Sequence, residues 1–314
     1  MSQVRCNWCL SEDVVLRGHG AVAPWILLAP PDERGLTELW ECQECELNFF
    51  SRGFSEAELD LLYSEYRGPA YFRRRHHWEP WYTKEINNGI GHNTETVLHR
   101  RRHLETFINV YVERYLVAPP TAVVDFGGDE GQFMPEIDTI QKCGVFEVSD
   151  SVPVTGVQKL ATWGEVADFR PDLMMLCHVL EHTTESRDIV GRAYDSLKIG
   201  ALLYIEVPLD RPPTPPKVFK TFAYRNFTKW VYRSRIFWIL LDFITLVSKR
   251  YLKRVPVGGV IKQNEHVQFF DRRAFANVLA KMGFVNVEFS EYVASGTIPR
   301  LQTSALGVLA MKAG

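Results

Sequence analysis

The residues with the clearest chemical pattern are four of the six cysteines. Cys6-x-x-Cys9 and Cys42-x-x-Cys45 form two pairs separated by 32 residues. Each pair can clamp one side of a tetrahedral Zn²⁺. Four thiolates leave the metal no open position, so such a site is structural. It would let residues 1–54, rich in Cys, Trp and Pro, fold around little core of their own. Two disulfides are the alternative, but they need an oxidising compartment that nothing in the sequence indicates. Cys143 and Cys177 fall near expected strand edges and are not expected as ligands.

The second pattern runs from Val123 to Gly131. A short apolar run ends in Asp125. Gly127 and Gly128 then let the chain turn and a ligand approach the backbone, and Gly131 lets a following helix pack close to the sheet. A strand, a tight turn and a helix N-terminus gather backbone N–H groups at the carboxyl edge of a sheet, where nucleotide-like cofactors bind. The dinucleotide fingerprint needs glycines at its first, third and sixth positions. Counted from Gly127, the third position is Asp129, whose charge repels a pyrophosphate and suits a cationic ligand. Glu147 lies 20 residues beyond Gly127 at the end of the next strand, where a carboxylate can accept both ribose hydroxyls. A nucleoside with a cationic tail and no phosphates fits this pattern, which points to S-adenosylmethionine.

His178-Val179-Leu180-Glu181-His182 matches the H-x-x-E-H pattern of inverted zinc proteases. That chemistry needs both imidazoles on one face of a continuous helix. The preceding Asp172–Leu176 reads as a buried strand, and Thr183 and Thr184 break a long helix, so the context argues against a protease. Asn264-Glu265-His266 is the third candidate, since a His beside a carboxylate can act as a general base near neutral pH. For His182 and His266 a packing or capping role is the competing expectation.

The elements that must position these groups follow a strand–helix alternation from residue 121 onward. Strands are expected over 122–126, 144–148, 172–177, 201–207, 284–290 and 304–311, and helices over 131–141, 186–198 and 271–282. This order implies a mainly parallel sheet covered on both faces. Residues 55–120 read as a helical linker or cap, with a capping-box start at Ser55 and helical spacing from Glu95 to Leu116 that Pro119-Pro120 stops. Residues 208–262 interrupt the alternation as an insertion, entered through the stiff run from Arg211 to Pro216. The expected domains are a zinc-binding module at 1–54, the cap at 55–120 and a cofactor domain at 121–314.

The bulk properties narrow the function class. The chain has 314 residues, 46% hydrophobic and 24% charged, with a net charge of −2. This is a globular composition and lacks the basic excess of a general nucleic-acid binder. There is no apolar leader at the N-terminus and no run of 18 apolar residues. A cytoplasmic protein with reduced thiols is expected.

The motifs together resemble the class I S-adenosylmethionine-dependent methyltransferases: Val123 to Phe133, Phe146 to Ser149, Asp172 to His182, Leu197 to Leu203, Glu206-Val207-Pro208 and Met282-Gly283-Phe284. The resemblance covers residues 95–312 apart from the insertion. It implies a Rossmann-like, seven-stranded, mainly parallel sheet with helices on both faces, beside the zinc module and a helical insertion. It also implies that Asp125, Gly127, Gly128, Asp129 and Gly131 line the donor, that Glu147 and Val148 hold its ribose side, and that Cys177 and His178 close the site. Where Asp129 stands the commoner family turn has Gly, but a subgroup resembling sugar methyltransferases has polar residues there. The four-Cys module resembles that of sugar methyltransferases of deoxysugar and polysaccharide pathways. In those enzymes a Glu-His pair like Glu265-His266 is associated with proton abstraction. Their sugar C-methyltransferases carry a further C-terminal domain, whereas this chain stops at Gly314, so O-, N- and C-methylation all stay open.

The resemblance therefore implies methyl transfer to a sugar or glycan-type acceptor, nucleotide- or lipid-linked, with His266, Glu265 or His182 as base. A catalytically silent binding protein that recruits a partner through the zinc module is the alternative. Residues 227–254 carry a 12-residue apolar stretch with one charge, Ile236 to Val247, between basic flanks and too short to span a membrane. They read as a lid, a dimer element or a peripheral membrane contact. Arg73-Arg74-Arg75 and Arg100-Arg101-Arg102 read as solvated helix faces. Tyr66, Tyr71 and Tyr82 are expected either to pack helices or to line an acceptor pocket.

Overall fold

A computed structural model of the chain describes residues 4–27, 33–63, 66–89, 94–147, 151–209, 212, 215–252, 255–294 and 303–314. In chain order the strands are β1 Val14–Val22, β2 Leu36–Cys42, β3 Asn48–Phe50, β4 Ala122–Phe126, β5 Lys142–Phe146, β6 Val157–Leu160, β7 Leu173–Cys177, β8 Leu202–Pro208, β9 Lys262–Gln263, β10 Gln268–Phe269, β11 Phe284–Ala294 and β12 Thr303–Lys312. The helices are α1 Glu56–Tyr63, α2 Pro69–Trp78, α3 Lys84–Gly89, α4 Thr94–Tyr115, α5 Trp163–Phe169, α6 Ser186–Ser196, α7 Phe222–Tyr232, α8 Arg235–Leu252 and α9 Arg272–Lys281. Two compact units result: Met1–Asn88 with His182–Thr184 and Arg211–Phe269, and Gly89–Glu181 with Glu185–Asp210 and Phe270–Gly314.

The first unit holds a five-stranded sheet in the order β10-β3-β2-β1-β9. β1 and β2 pair antiparallel, with a register shift between Leu16 and Gly18. Gly20 is required where β1 passes β9, because a Cβ there would stand 2.5 Å from the Ile261 carbonyl oxygen. Leu39, Phe50, Phe219, Tyr224 and Ile261 form one apolar cluster, and Trp25, Leu62, Tyr71 and Tyr82 another. The capping box at α1 is reciprocal: Glu58 N–H donates to Ser55 Oγ at 3.3 Å, and Ser55 N–H to the Glu58 carboxylate at 2.9 Å. The stiff run entering the 208–262 segment lies largely outside the described residues, since Asp210, Arg211, Pro213 and Thr214 are among those left out. The segment continues as α7, started by Thr221 as N-cap, and α8.

The second unit is a seven-stranded sheet in the order β11-β12-β8-β7-β4-β5-β6. β4 pairs parallel with β5 and β7, β5 with β6, and β7 with β8. β12 and β11 close the sheet antiparallel. Leu173, Met174, Met175 and Leu176 of β7 have no exposed surface. Each stabilises the sheet by about 1.5–3 kcal/mol through burial alone. The chain order reverses between β4 and β7, so the crevice at their carboxyl ends is the topological switch point where such sheets bind ligands.

One expected element is absent. Residues 131–141 form turns, with no helix between β4 and β5. Pro135 explains this: it has no N–H to donate and its ring disfavours helical backbone at Met134.

Candidate functional site

At the switch point the glycine turn is built from left-handed backbone. Gly127 has φ 69°, Asp129 φ 54° and Gly131 φ 76°. Its N–H groups are largely spent inside the protein. Gly127 N–H donates to Phe146 O at 2.8 Å, and Gly131 N–H to Gly128 O at 2.8 Å. Asp129 N–H donates to the Glu147 carboxylate at 3.2 Å. A turn that consumes its donors this way is a poor phosphate cradle. Gly128 is obligatory, because a Cβ there would fall 2.4 Å from Asp125 Oδ2. Asp125 itself is fully buried, and neither carboxyl oxygen has a hydrogen-bond partner. Burial pushes its pKa up to about 7, against the pull of Arg100.

The ends of β4, β5 and α5 bring three aromatic rings together. Phe126 stacks on Trp163 at 5.1 Å between centroids, and Phe146 lies 4.8 Å from Phe126 and 5.3 Å from Trp163. Glu147 follows Phe146 directly. Val148 lies outside the described residues.

The carboxyl ends of β7 and β8 carry a buried polar cluster centred on Glu206. Arg100 Nη2 is 2.5 Å and His178 Nε2 3.0 Å from Glu206 Oε1. The Tyr204 and Tyr292 hydroxyls donate to Oε2 at 2.8 and 2.7 Å. His178 Nδ1 meets Glu181 at 3.0 Å. Burial and Arg100 both oppose the imidazolium, but the two carboxylates prevail and raise its pKa to about 9. The Glu206 carboxyl, which burial alone would raise, is held far below its usual range by Arg100 and His178. Burial lifts the Cys177 thiol well above its ordinary value, so it is not a nucleophile at neutral pH.

This arrangement removes the protease pattern. His178 has φ 56° and stands outside any helix, and Leu180–His182 is a single 3-10 turn. It also corrects the reading of Arg100 and Arg75 as solvated cations: their side chains are 11% and 18% exposed and are held in ion pairs. Sequence reasoning missed Arg100, Glu206, Tyr204 and Tyr292 as site-forming groups. The available signal was Glu206 itself, the one charged residue in the wholly buried strand Leu202–Pro208.

In the first unit, Glu265 is the centre of a second cluster. Its carboxylate accepts from the Tyr66 hydroxyl at 3.0 Å, from the Tyr71 hydroxyl, and from Arg75 Nη1 at 3.1 Å. Burial would raise its pKa, but Arg75, then His182 and Tyr71, hold it below the usual carboxylate range. Glu265 is therefore an anion already saturated with donors. Its backbone carbonyl lies 3.2 Å from His182 Nδ1. A carbonyl only accepts, so Nδ1 carries a proton. The rings of His182 and His266 meet edge to face at 4.9 Å. The Tyr82 hydroxyl donates to Asn87 at 3.2 Å, while the Arg75 guanidinium lies 4.0 Å over its ring.

The four cysteines converge in the same unit. Sγ atoms of Cys6 and Cys45 are 3.7 Å apart and those of Cys9 and Cys42 3.4 Å, and all four lie within 4.8 Å of one another. A disulfide would bring two sulfurs to about 2.05 Å. Four sulfurs about 2.3 Å from one zinc stand about 3.8 Å apart, so the donor set fits that ion. The two knuckles repeat each other. Leu10 N–H donates to Cys6 O at 3.1 Å and Glu46 N–H to Cys42 O at 3.0 Å. Cys6 N–H reaches Ser11 O, and Cys42 N–H reaches Leu47 O, both at 2.9 Å. Leu10 and Glu46 share left-handed backbone, at φ 68° and 62°.

Residues 98–289 match the family described as Methyltransferase domain. The chain belongs to that family. No curated protein matches the chain. Among solved structures it is similar to a CurJ carbon methyltransferase, at 15% identity, TM-score 0.37, over 68% of this chain and 54% of that one. It is similar to an O-methyltransferase family protein from Burkholderia thailandensis, at 14% identity, TM-score 0.32, over 69% and 58%. A third is the N-methyltransferase NodS from Bradyrhizobium japonicum WM9 in complex with S-adenosyl-L-homocysteine, at 10% identity, TM-score 0.37, over 68% and 87%. The chain thus spans little more than half the length of the first two. Among the described residues no helix is long and apolar enough to cross a membrane.

Proposed function

We propose that the chain transfers a methyl group from S-adenosylmethionine to a sugar or glycan-type acceptor, with Asp125 facing the donor's cationic end. The observation that carries the donor assignment is Asp125, a carboxyl with no exposed surface and no partner on either oxygen, beneath the glycine turn. A buried carboxylate without a partner is costly, and a cation nearby removes that cost. Gly127, Gly128, Asp129 and Gly131 shape the wall, Glu147 takes the ribose hydroxyls, and Phe126, Phe146 and Trp163 offer apolar faces to the base. Cys177 and His178 border the same strand ends. When bound, the donor supplies an electrophilic methyl carbon on a sulfonium. The chain's own part is to hold that carbon in line, exclude water and accept the acceptor's proton.

On the acceptor side the reading rests on the Glu265 cluster. A carboxylate already taking three donors orients its surroundings and does not take a further proton. The proton falls to His182 or His266. The four thiols of Cys6, Cys9, Cys42 and Cys45 would hold a structural Zn²⁺.

Calorimetric titration with S-adenosylmethionine tests the donor, and absence of binding sinks the whole reading. Screening sugars and nucleotide-linked sugars by mass spectrometry for a gain of about 14 daltons, a CH₃ in place of a hydrogen, tests the acceptor. Donor binding with no acceptor turned over would favour the silent recruitment protein.

A further inference from the structure

α8 is amphipathic in an unusual sense, because its outward face is the apolar one. Trp238, Asp242 and Thr245 point inward and are at most 4% exposed. Ile236, Leu240, Phe243, Ile244, Val247 and Tyr251 are between 37% and 76% exposed. At 100° per residue these six fall on one stripe roughly 100° wide. α7 extends the patch with Phe222, 70% exposed, and with Trp230, whose ring lies 4.7 Å from that of Phe237. A contiguous exposed face of this kind marks an interaction site.

The charge around it has one sign. Residues 215–252 contain eight lysines and arginines and a single acid, Asp242, in a chain whose net charge is −2. Asp242 is buried and paired with Lys262 at 2.5 Å, so it offsets none of the surface charge. Lys217, Lys220, Arg233 and Arg235 are exposed in the same segment of the chain. An apolar stripe with Trp and Phe, rimmed by cations, has the composition of a helix that lies in the plane of a membrane interface. α8 has 18 residues, so it would lie along the surface for about 27 Å. A two-fold pairing of this face with a second copy would set one basic rim against another, which like-charge repulsion opposes.

We propose that α7 and α8 form a docking face for a lipid bilayer rich in anionic headgroups, with the stripe of α8 at the acyl boundary and the basic rim on phosphates. This inference is independent of the acceptor assigned above.

The test is co-sedimentation of the intact chain with vesicles of phosphatidylglycerol and phosphatidylcholine, against phosphatidylcholine alone. Binding is expected to the anionic vesicles only and to weaken with salt. Replacing Lys217→Gln and Lys220→Gln should weaken it about 25-fold, at about fivefold per basic residue near the surface. Ile236→Ser with Phe243→Ser should abolish it while leaving the denaturation midpoint unchanged, since both side chains are exposed. Should that midpoint fall, Leu240→Asn alone is expected to reduce binding. Failure of the wild type to sediment, equal binding to neutral vesicles, or undiminished binding by the stripe variants overturns the proposal. So does a dimer seen by light scattering in the absence of lipid that the stripe variants dissolve.

Discussion

Glu206 and His178 are joined so that each fixes the other's charge: Nε2 of the ring lies 3.0 Å from Oε1 of a carboxylate that is 2% exposed. Glu181 engages the opposite ring nitrogen, so both ring N–H groups are used and the ring is an imidazolium. His178 therefore enters the site as a fixed cation and not as a base.

That relationship has a pH signature. With a folded pKa of about 9 against an ordinary 6.5, His178 gains a proton on folding at neutral pH. The resulting stability is fully present below pH 6.5 and is lost as pH rises through about 9. Urea denaturation should show the midpoint falling across that window in the wild type, with this limb absent in His178→Gln. An identical profile in the variant would refute the assignment.

Asp125 shows the opposite sign. Its pKa of about 7 lies above the ordinary 3.8, so ionising it in the fold costs stability as pH rises through that window, by up to roughly 4 kcal/mol. Asp125→Asn should therefore be more stable than the wild type at pH 8 and bind S-adenosylmethionine more weakly. In the wild type, donor affinity measured by calorimetry should rise between pH 6 and 8, and in Asp125→Asn it should stay flat. A variant that binds the donor as tightly as the wild type would remove Asp125 from the site.

The thiol cluster predicts one zinc per chain by atomic emission spectroscopy. Cys42→Ser should lose the ion and lower the melting temperature, because apparent binding energies of structural zinc are about 10–16 kcal/mol. Metal-free protein with an unchanged melting temperature would refute the structural role.

The histidine pair predicts a split between binding and turnover. His182→Ala and His266→Ala should each leave donor affinity within about twofold while the group that serves as base loses about 10²–10⁴ in turnover. If neither variant loses turnover, the base lies elsewhere.

Much of the sheet was legible in the sequence because its central strands β4, β7 and β8 are buried on both faces and read as short apolar runs. The strands β4, β7, β8, β11 and β12 and the helices α4, α6 and α9 fall within a few residues of their expected places. The helix expected after Gly131 is absent, because Pro135 falls within its first turns. β1 to β3 were missed since β1 bulges and β3 has three residues, too few to show an alternation. Arg100 looked solvated because its carboxylate partner, Glu206, lies far along the chain, and Arg75 because one of its two partners, Glu265, does. The cysteines were legible because spacing alone expresses their geometry.

The order in which the five-stranded sheet acquires its edges has a consequence for biosynthesis. β1 to β3 are complete at Phe50, yet β9, which pairs with β1, begins 212 positions later at Lys262, and β10, which pairs with β3, begins at Gln268. At about 5–20 residues per second, a nascent chain spends about 10–40 s with both edges of that ribbon open. Open edges template pairing between chains. The thiols need no such wait, since all four have emerged by Cys45. Early metal capture would hold the β1–β2 pairing in register while synthesis proceeds, which places the vulnerable interval of this protein on the ribosome rather than in its finished state.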